Sequence, residues 1–301
     1  MSRPDLPTDL FETHRPRLVR LAYRMLGSVA EAEDVVQDGW LRWRTVDPDE
    51  IREPAAWLTR TVTRLCLDHI KSARSRRETY VGAWLPDPLV GSFDPAEDEA
   101  DDLTLTLMMA LERLSPLERA AFLLHDVFGV AFDEVGRTLD RDPTAVRQLA
   151  SRARKHVQDA RPRFPVEREE GDRLAQAFFA ASRDGDLKAL GAMLAEGAVL
   201  YADGGGKVHA FHNPIRGLAR LLRLFAGLHR KYGPEAFEQL RPMWIDGLPG
   251  YVSLERGQVL QTTALDIRDG RIVGIYITRN PDKLAAVSAL VADLRPPSTA
   301  H

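Results

Sequence analysis

The stretch from Ser115 to Val157, SPLERAAFLLHDVFGVAFDEVGRTLDRDPTAVRQLASRARKHV, leaves the chain few ways to fold. Ser115-Pro116 is a helix start: a capping hydroxyl, then a proline at the first helical position, where its missing N–H removes no bond. Leu117, Ala121 and Leu124 follow at helical spacing, and Gly129 closes the run. A short second helix is expected from about Phe132, with Val135 and Leu139 inward. A third starts at Asp142-Pro143 and places Val146, Leu149 and Ala153 on one face. Its other side carries Thr144, Arg147, Gln148, Ser151, Arg152 and Lys155, which supply hydrogen-bond donors and positive charge. Two short helices around a tight turn, the second cationic outward, read as a helix-turn-helix that binds DNA. The plainer alternative is a solvated charged helix in a bundle, because charged faces alone are common.

A net charge of −3 over 301 residues looks wrong for a DNA binder until it is mapped. Residues 60–77 hold six Lys/Arg (Arg60, Arg64, Lys71, Arg74, Arg76, Arg77) against Asp68, and residues 141–163 hold seven against Asp142 and Asp159. Between them, residues 94–102 carry six acids and no base. Such a distribution suits two nucleic-acid contacts joined by a segment that DNA repels. The length allows two or three domains, and 44% apolar with 28% charged residues is a globular composition. The single cysteine, Cys66, excludes an internal disulfide and a cysteine-built metal site and points to a reducing compartment. No apolar run is long enough to span a bilayer, and MSRPDLPTDL has acids and prolines where a signal peptide would be apolar. The expected location is cytoplasmic, with no membrane partner, no metal and no cofactor.

Residues 8–80 read as helical. Thr8 and Asp9 can cap a helix with Leu10, Phe11, Leu18, Leu21, Ala22 and Met25 inward, closed by Gly27. A second helix runs from about Val29 to Val46, with Glu31, Glu33, Asp34, Gln37 and Asp38 in its first half, where the helix dipole favours acids. Trp40 and Trp43 follow on neighbouring positions of one face; for either alone, core packing is the simpler expectation. The loop DPDEIREP leads into a third helix, from about Ala55 to Arg77, that ends in the basic KSARSRR.

The segments AEDVVQDGWLRW and EPAAWLTRTVTRLCLDHIKSARSRR together resemble region 2 of an extracytoplasmic-function-type RNA polymerase sigma factor. Ser115–Val157 resembles region 4 of the same family, and the two blocks stand in the family's order. The resemblance implies a protein that binds core RNA polymerase, through the β′ clamp helices and the β subunit, and promoter DNA at the −10 and −35 elements. Asp34, Gln37 and Asp38 would then meet the clamp. Trp40, Trp43 and the loop Asp47–Pro54, with Arg52, would melt the −10 element and hold an extruded base, with Lys71, Arg74, Arg76 and Arg77 along the backbone. Stacking on an aromatic ring contributes about 1–3 kcal/mol per base. Thr144, Arg147, Gln148, Ser151, Arg152 and Lys155 would face the −35 major groove, where Arg can read G and Gln can read A. Which of them touch bases and which touch phosphates stays open. The free protein is expected to be monomeric.

The linker Gly82–Asp102 is broken by prolines and glycines, yet Trp84-Leu85-Pro86-Asp87-Pro88-Leu89-Val90 carries anchors that a plain spacer has no need of. WLPDPLV resembles the linker motif of the sigma subgroup with a SnoaL-like C-terminal domain, where Glu more often stands at Asp87. Beyond Pro165, helices are expected over 168–183, 187–194 and 214–231. Strands are expected near 198–202, 240–245, 251–255, 259–267 and 271–279, the last two joined by Asp269-Gly270. The fold class is therefore multidomain: two all-α domains, the second a helix-turn-helix, then an α+β SnoaL-like cone with a curved antiparallel sheet. The boundaries read as 1–81, 82–102, 103–163 and 164–301.

Asp203-Gly204-Gly205-Gly206-Lys207 is a glycine turn flanked by an acid and a base, without Walker spacing. Read alone, it is a hairpin or bulge as readily as a binding turn. The resemblance implies that it and Asn280-Pro281-Asp282-Lys283-Leu284 dock on WLPDPLV, the C-terminal domain regulating activity in place of an anti-sigma partner. Two alternatives accompany this reading. One is a ligand-sensing DNA-binding regulator with a small-molecule pocket in the cone. The other is a relic enzyme using some of Tyr201, Asp203, His209, His212, Asp266 and Tyr276, which share no spacing-defined motif. The expected protein is not an enzyme.

Overall fold

The computed structural model describes residues 6–47, 51–78, 80–90, 104–158 and 166–292, with only the backbone described for residues 6, 7 and 73–78. Part of the loop Asp47–Pro54, the acidic run 94–102, Arg161–Pro165 and the side chains of Arg74, Arg76 and Arg77 lie outside the described residues. The chain forms two compact units, Met1–Glu78 with Leu107–Ala160, and Thr79–Thr106 with Arg161–His301.

In the first unit, α1 (Leu6–Leu26), α2 (Val29–Trp43) and α3 (Pro54–Glu78) pack through stripes at helical spacing. Phe11, Leu18, Leu21, Ala22 and Met25 are buried on α1, Ala32, Val35, Val36 and Trp43 on α2, and Leu58, Val62 and Cys66 on α3. Burial pushes the Cys66 thiol pKa up, so the thiol is protonated and unreactive. The second block has α4 (Leu105–Leu111), α5 (Pro116–Phe122), α6 (Phe132–Leu139) and α7 (Pro143–Val157). Ser115 and Glu118 complete a reciprocal capping box at the start of α5. A π-helical turn, Leu123–Val127, extends α5 to the break at Gly129.

Arginines join the two helical blocks by capping carbonyls that helix ends leave without partners. Arg119, 4% exposed, donates to the carbonyls of Leu111 at 3.0 Å and Met25 at 2.7 Å and pairs with Glu112 at 2.6 Å. Arg64 of α3 donates to the Thr138 and Arg137 carbonyls at the end of α6, at 3.1 and 3.2 Å. Arg17 of α1 reaches the Phe128 carbonyl at 3.0 Å.

The second unit is an α+β cone. Helices α8 (Arg168–Asp184), α9 (Leu187–Met193) and α10 (Leu218–Tyr232) pack on a six-stranded sheet of order β2-β1-β6-β5-β4-β3. The strands are β1 (Leu194–Asp203), β2 (Ile215–Arg216), β3 (Phe237–Ile245), β4 (Leu248–Glu255), β5 (Val259–Arg268) and β6 (Arg271–Thr278). The expected antiparallel sheet is present, except that β1 and β6 run parallel, with Asp203 opposite Thr278. That pair brings the chain out of β1 and out of β6 at the same end of the sheet. Phe178, Phe179, Leu200, Phe225, Tyr251 and Ile275 belong to the core between helices and sheet. On the other face, Val252 packs with Leu284, Val287 and Val291 around α11 (Ala285–Ala292), and Val90 joins this cluster. Strand β4 is consequently buried along its whole length.

Arg119→Leu should strip three acceptors of their donor and leave Glu112 uncompensated. We expect a loss of about 3–5 kcal/mol in the unfolding of the helical unit, read by denaturant titration of far-UV circular dichroism.

Candidate nucleic-acid interface and linker clasp

The turn between α6 and α7 is built for close approach. Asp140 adopts the left-handed conformation at φ 54°, and a Cβ on Gly136 would lie 2.7 Å from the Arg141 carbonyl oxygen, so only glycine fits there. Asp142 caps α7 by accepting from the Thr144 and Ala145 amides, each at 2.9 Å. The Ala145 amide, then that of Thr144, holds the Asp142 carboxyl below the usual carboxylate range. One face of α7 is buried through Val146, Leu149, Ala150, Ala153 and Val157. The opposite face exposes Thr144, Arg147, Gln148, Ser151, Arg152 and Lys155, all six of the residues singled out in the sequence. Arg147 lies over the Phe132 ring, 5.3 Å from its centroid, and Arg152 pairs with Glu118 at 3.1 Å, so both guanidiniums are positioned but remain accessible.

On α2, Asp34, Gln37 and Asp38 are exposed along one side. Leu41, one turn further on, is 50% exposed and extends that face with an apolar group that sequence reasoning missed. Its only sequence signal was the position, three residues past Asp38. Trp40 is half-buried against Phe11 at 4.9 Å, with Arg44 over its ring. The expectation for Trp43 is corrected: the ring is fully buried against Trp57, 5.5 Å between centroids, and cannot stack on a base. Arg52 and Lys71 are exposed, Lys71 pairing with Asp68 at 3.0 Å.

In the second unit, residues 80–90 are held by two buried aspartates. Asp203, fully buried at the end of β1, accepts from the Tyr80 hydroxyl at 2.5 Å and the Gly205 amide at 3.0 Å through one carboxylate oxygen. Through the other it accepts from the Leu85 amide and the Lys283 ammonium, both at 2.9 Å. Lys283 also donates to the Leu85 carbonyl and sits over the Trp84 ring at 4.3 Å. Asn280 donates to the Tyr80 hydroxyl at 3.1 Å, and the Arg279 and Asn280 amides donate to the Asp203 carbonyl. A Cβ on Gly205 would meet the Asn280 side chain at 2.3 Å, which explains the glycine there. Gly204 is buried and Gly206 exposed in the same turn.

Leu85, Pro86, Asp87 and Pro88 are buried, as is Leu284, while Pro281 and Asp282 are exposed. Lys207 takes no part in the Asp203 cluster and pairs instead with Asp282 at 2.6 Å in solvent. The second anchor is Asp246, in the β3–β4 turn, which exchanges hydrogen bonds with Leu89 and whose carbonyl accepts from the Leu105 amide at 2.9 Å. Nothing in the sequence distinguished this aspartate from any other turn residue.

The candidates for chemistry in the cone fall in separate places: Tyr201, Tyr276 and Asp266 lie near one another, while Asp203, His209 and His212 are elsewhere. Of the six, only His209 is among the residues lining the internal cavity. Tyr201 and Tyr276 stack on each other at 5.4 Å, Asp266 pairs with Arg268 at 3.0 Å, Asp203 is engaged by the linker, and His212 is exposed. Among the described residues there is no cluster of three or more His, Cys, Asp or Glu able to hold a metal ion, and no helix long and apolar enough to cross a membrane.

Residues 10–76 match the family model for sigma-70 region 2, and residues 104–157 that for sigma-70 region 4. The ECF RNA polymerase sigma factor SigJ of Mycobacterium tuberculosis is 40% identical over 292 residues, 91% of this chain and 91% of the relative. A probable ECF sigma factor, SigI, of the same organism is 32% identical over 96% of this chain and 98% of its own length. The crystal structure of M. tuberculosis SigJ superposes with a TM-score of 0.74 at 35% identity, covering 92% of this chain and 98% of that one. Kinship of this extent runs through the helical blocks and the cone alike, and the chain belongs to the extracytoplasmic function sigma factors of RNA polymerase.

Proposed function

We propose that this sigma factor reads the −35 element with the exposed face of α7 and that its own C-terminal cone regulates it by holding the linker. As a sigma factor it acts in transcription initiation, with core RNA polymerase and promoter DNA as partners, and catalyses no reaction. The observation that carries the promoter reading is the division of α7 into a wholly buried face and a face of six exposed donors and cations behind a tight turn. Arg147 and Gln148 have the chemistry for bidentate contacts to G and A, while Lys155 supplies a point charge for phosphate. On α2 the surface offered to the β′ clamp helices is Asp34, Gln37, Asp38 and Leu41, an apolar group among acids. The free protein acts as a monomer, the linker being held by the same chain. Trp40 and Arg52, with the basic end of α3, serve the −10 element.

The regulatory reading rests on the Asp203 clasp. A buried carboxylate with four donors, two of them from residues 80–85, holds the segment that connects the two promoter-reading blocks. An unclasped linker would give those blocks a different reach, so the clasp is a place where activity can be set without a separate anti-sigma protein.

Arg147→Ala and Arg152→Ala should weaken binding to a −35 duplex while leaving core-polymerase binding intact. The log–log salt slope should fall by about 0.9 for whichever arginine contacts one phosphate. Loss of core binding instead would reassign this face of α7.

Asp203→Ala and Lys283→Ala should each raise protease cutting between Val81 and Val90 by about a hundredfold, because each leaves a buried charge unpaired. Lys207→Ala should change it by less than about threefold, its partner being a solvated one. The first two should also alter transcript yield with core polymerase; unaltered yield despite rapid cutting would sink the regulatory reading.

Burial, reinforced by the hydrogen bond to Asp203 and its charge, raises the Tyr80 pKa well above the ordinary phenol value. The clasp's contribution from Tyr80 is therefore intact below the unfolded phenol pKa of about 10 and is lost as pH rises beyond it. Linker cutting should be flat through neutral pH and accelerate above about pH 10, a step that Tyr80→Phe removes.

A further inference from the structure

The cone contains a cavity of about 420 Å³ that neither the promoter surfaces nor the clasp uses. Phe178, Leu200, Phe211, Leu224, Leu228 and Ile277 line it with apolar surface, and its size is that of small-molecule sites. Its polar lining is unbalanced. Glu255, at the end of β4, is the one carboxylate among the lining residues, and two guanidiniums share it. Arg279 donates to one of its oxygens and Arg256 pairs with the other at 3.3 Å. Arg223 and Lys231 add further positive charge to the lining. The Nε of Arg279 is buried and has no hydrogen-bond partner among the described residues. Buried donors are rarely left unmade, and a cationic one is best completed by an anionic acceptor. Tyr251 also lines the cavity; burial pushes its pKa up to about 12, so its hydroxyl stays protonated and can donate.

We propose that the cone is a receptor site for a small amphipathic anion, an apolar body bearing one carboxylate, and that Arg279 carries its occupancy to the linker clasp. The path is short, running from the Arg279 side chain to its own backbone and on through hydrogen bonds. The Arg279 amide donates to the Asp203 carbonyl at 2.7 Å, and the next residue, Asn280, holds both that carbonyl and the Tyr80 hydroxyl. The parallel pairing of β1 with β6 puts these groups at one end of the sheet, where Glu255 and Arg256 also lie at the end of β4. A carboxylate that draws the Arg279 guanidinium from Glu255 thereby acts on the residue whose backbone fixes Asp203. Binding itself does not depend on the regulatory reading of the clasp; only its effect on transcription does.

The test uses the full chain and decanoate as probe, with decanol as its uncharged counterpart, in isothermal titration calorimetry. Decanoate should bind saturably and one-to-one, and decanol about tenfold or more weakly, the equivalent of one charge-assisted hydrogen bond. Arg279→Gln should abolish the preference while leaving weak binding of both. Gly227→Phe should remove both, because Gly227 lines the cavity and a Cβ there meets nothing within 4 Å. Gly227→Leu serves the same purpose should the larger ring prevent folding. Equal affinity for the two probes, no binding, or binding that survives both Gly227 substitutions would overturn the site. Deuterium uptake by the amides of residues 81–90 should change with decanoate in the parent protein and not in Arg279→Gln. Unchanged uptake at saturation would overturn the transmission through Arg279 and leave transcript yield, measured in parallel, to judge the clasp alone.

Discussion

The second unit depends on one carboxylate. Asp203 is shut away from water, and an ion in that position persists only with a counter-charge and with its lone pairs filled. Lys283 supplies the charge, and Tyr80, Leu85 and Gly205 supply the remaining donors. These five residues come from three stretches far apart in the sequence. The burial of Asp203 thus commits the linker, the glycine turn and the segment after β6 to one another. Much of the surrounding geometry follows: Gly205 must lack a side chain so that Asn280 can approach, and Trp84 lies beneath the ammonium that Asp203 attracts.

The helical unit solves a different problem with the same class of interaction. Short helices expose many end carbonyls, and here arginines from one block cap the ends of helices in the other. Arg119 spans from α5 to the last turn of α1, and Arg64 from α3 to the end of α6. Arg119 was not conspicuous in the sequence, and Arg64 stood out only as one charge of the basic stretch 60–77, because a guanidinium that caps a distant carbonyl looks like any other charge on a helix.

What could be read in advance was what is local. Ser115, Pro116, Asp142 and Pro143 signal helix starts through their immediate neighbours, and the structure has those starts in place. The alternation around Asp269-Gly270 likewise forms the β5–β6 hairpin. Non-local choices were illegible. Trp40 and Trp43 sit three residues apart on one helix, and which of them is buried is decided by how α2 rotates against Phe11 and Trp57. The short helix α11, AAVSALVA, has almost no polar face and so no amphipathic spacing to announce it. The parallel β1–β6 pairing joins strands about seventy residues apart, which no period within either strand can announce. Of the clasp, the anchors in WLPDPLV and the glycine turn at Asp203–Lys207 showed in the residues, their docking came only with the family resemblance, and Asp246, which anchors the other end of the linker, showed not at all.

The clasp has a thermodynamic character set by its being built within one chain. Tethering replaces concentration by a fixed effective molarity, so dilution cannot open it and abundance of the protein cannot close it further. A separate inhibitor could be titrated, degraded or outcompeted by mass action. An internal strap has a constant stoichiometry of one, and its equilibrium moves only when something touches its own contacts. On the regulatory reading proposed above, the relevant variable is a local free energy around Asp203 rather than a ratio of two proteins.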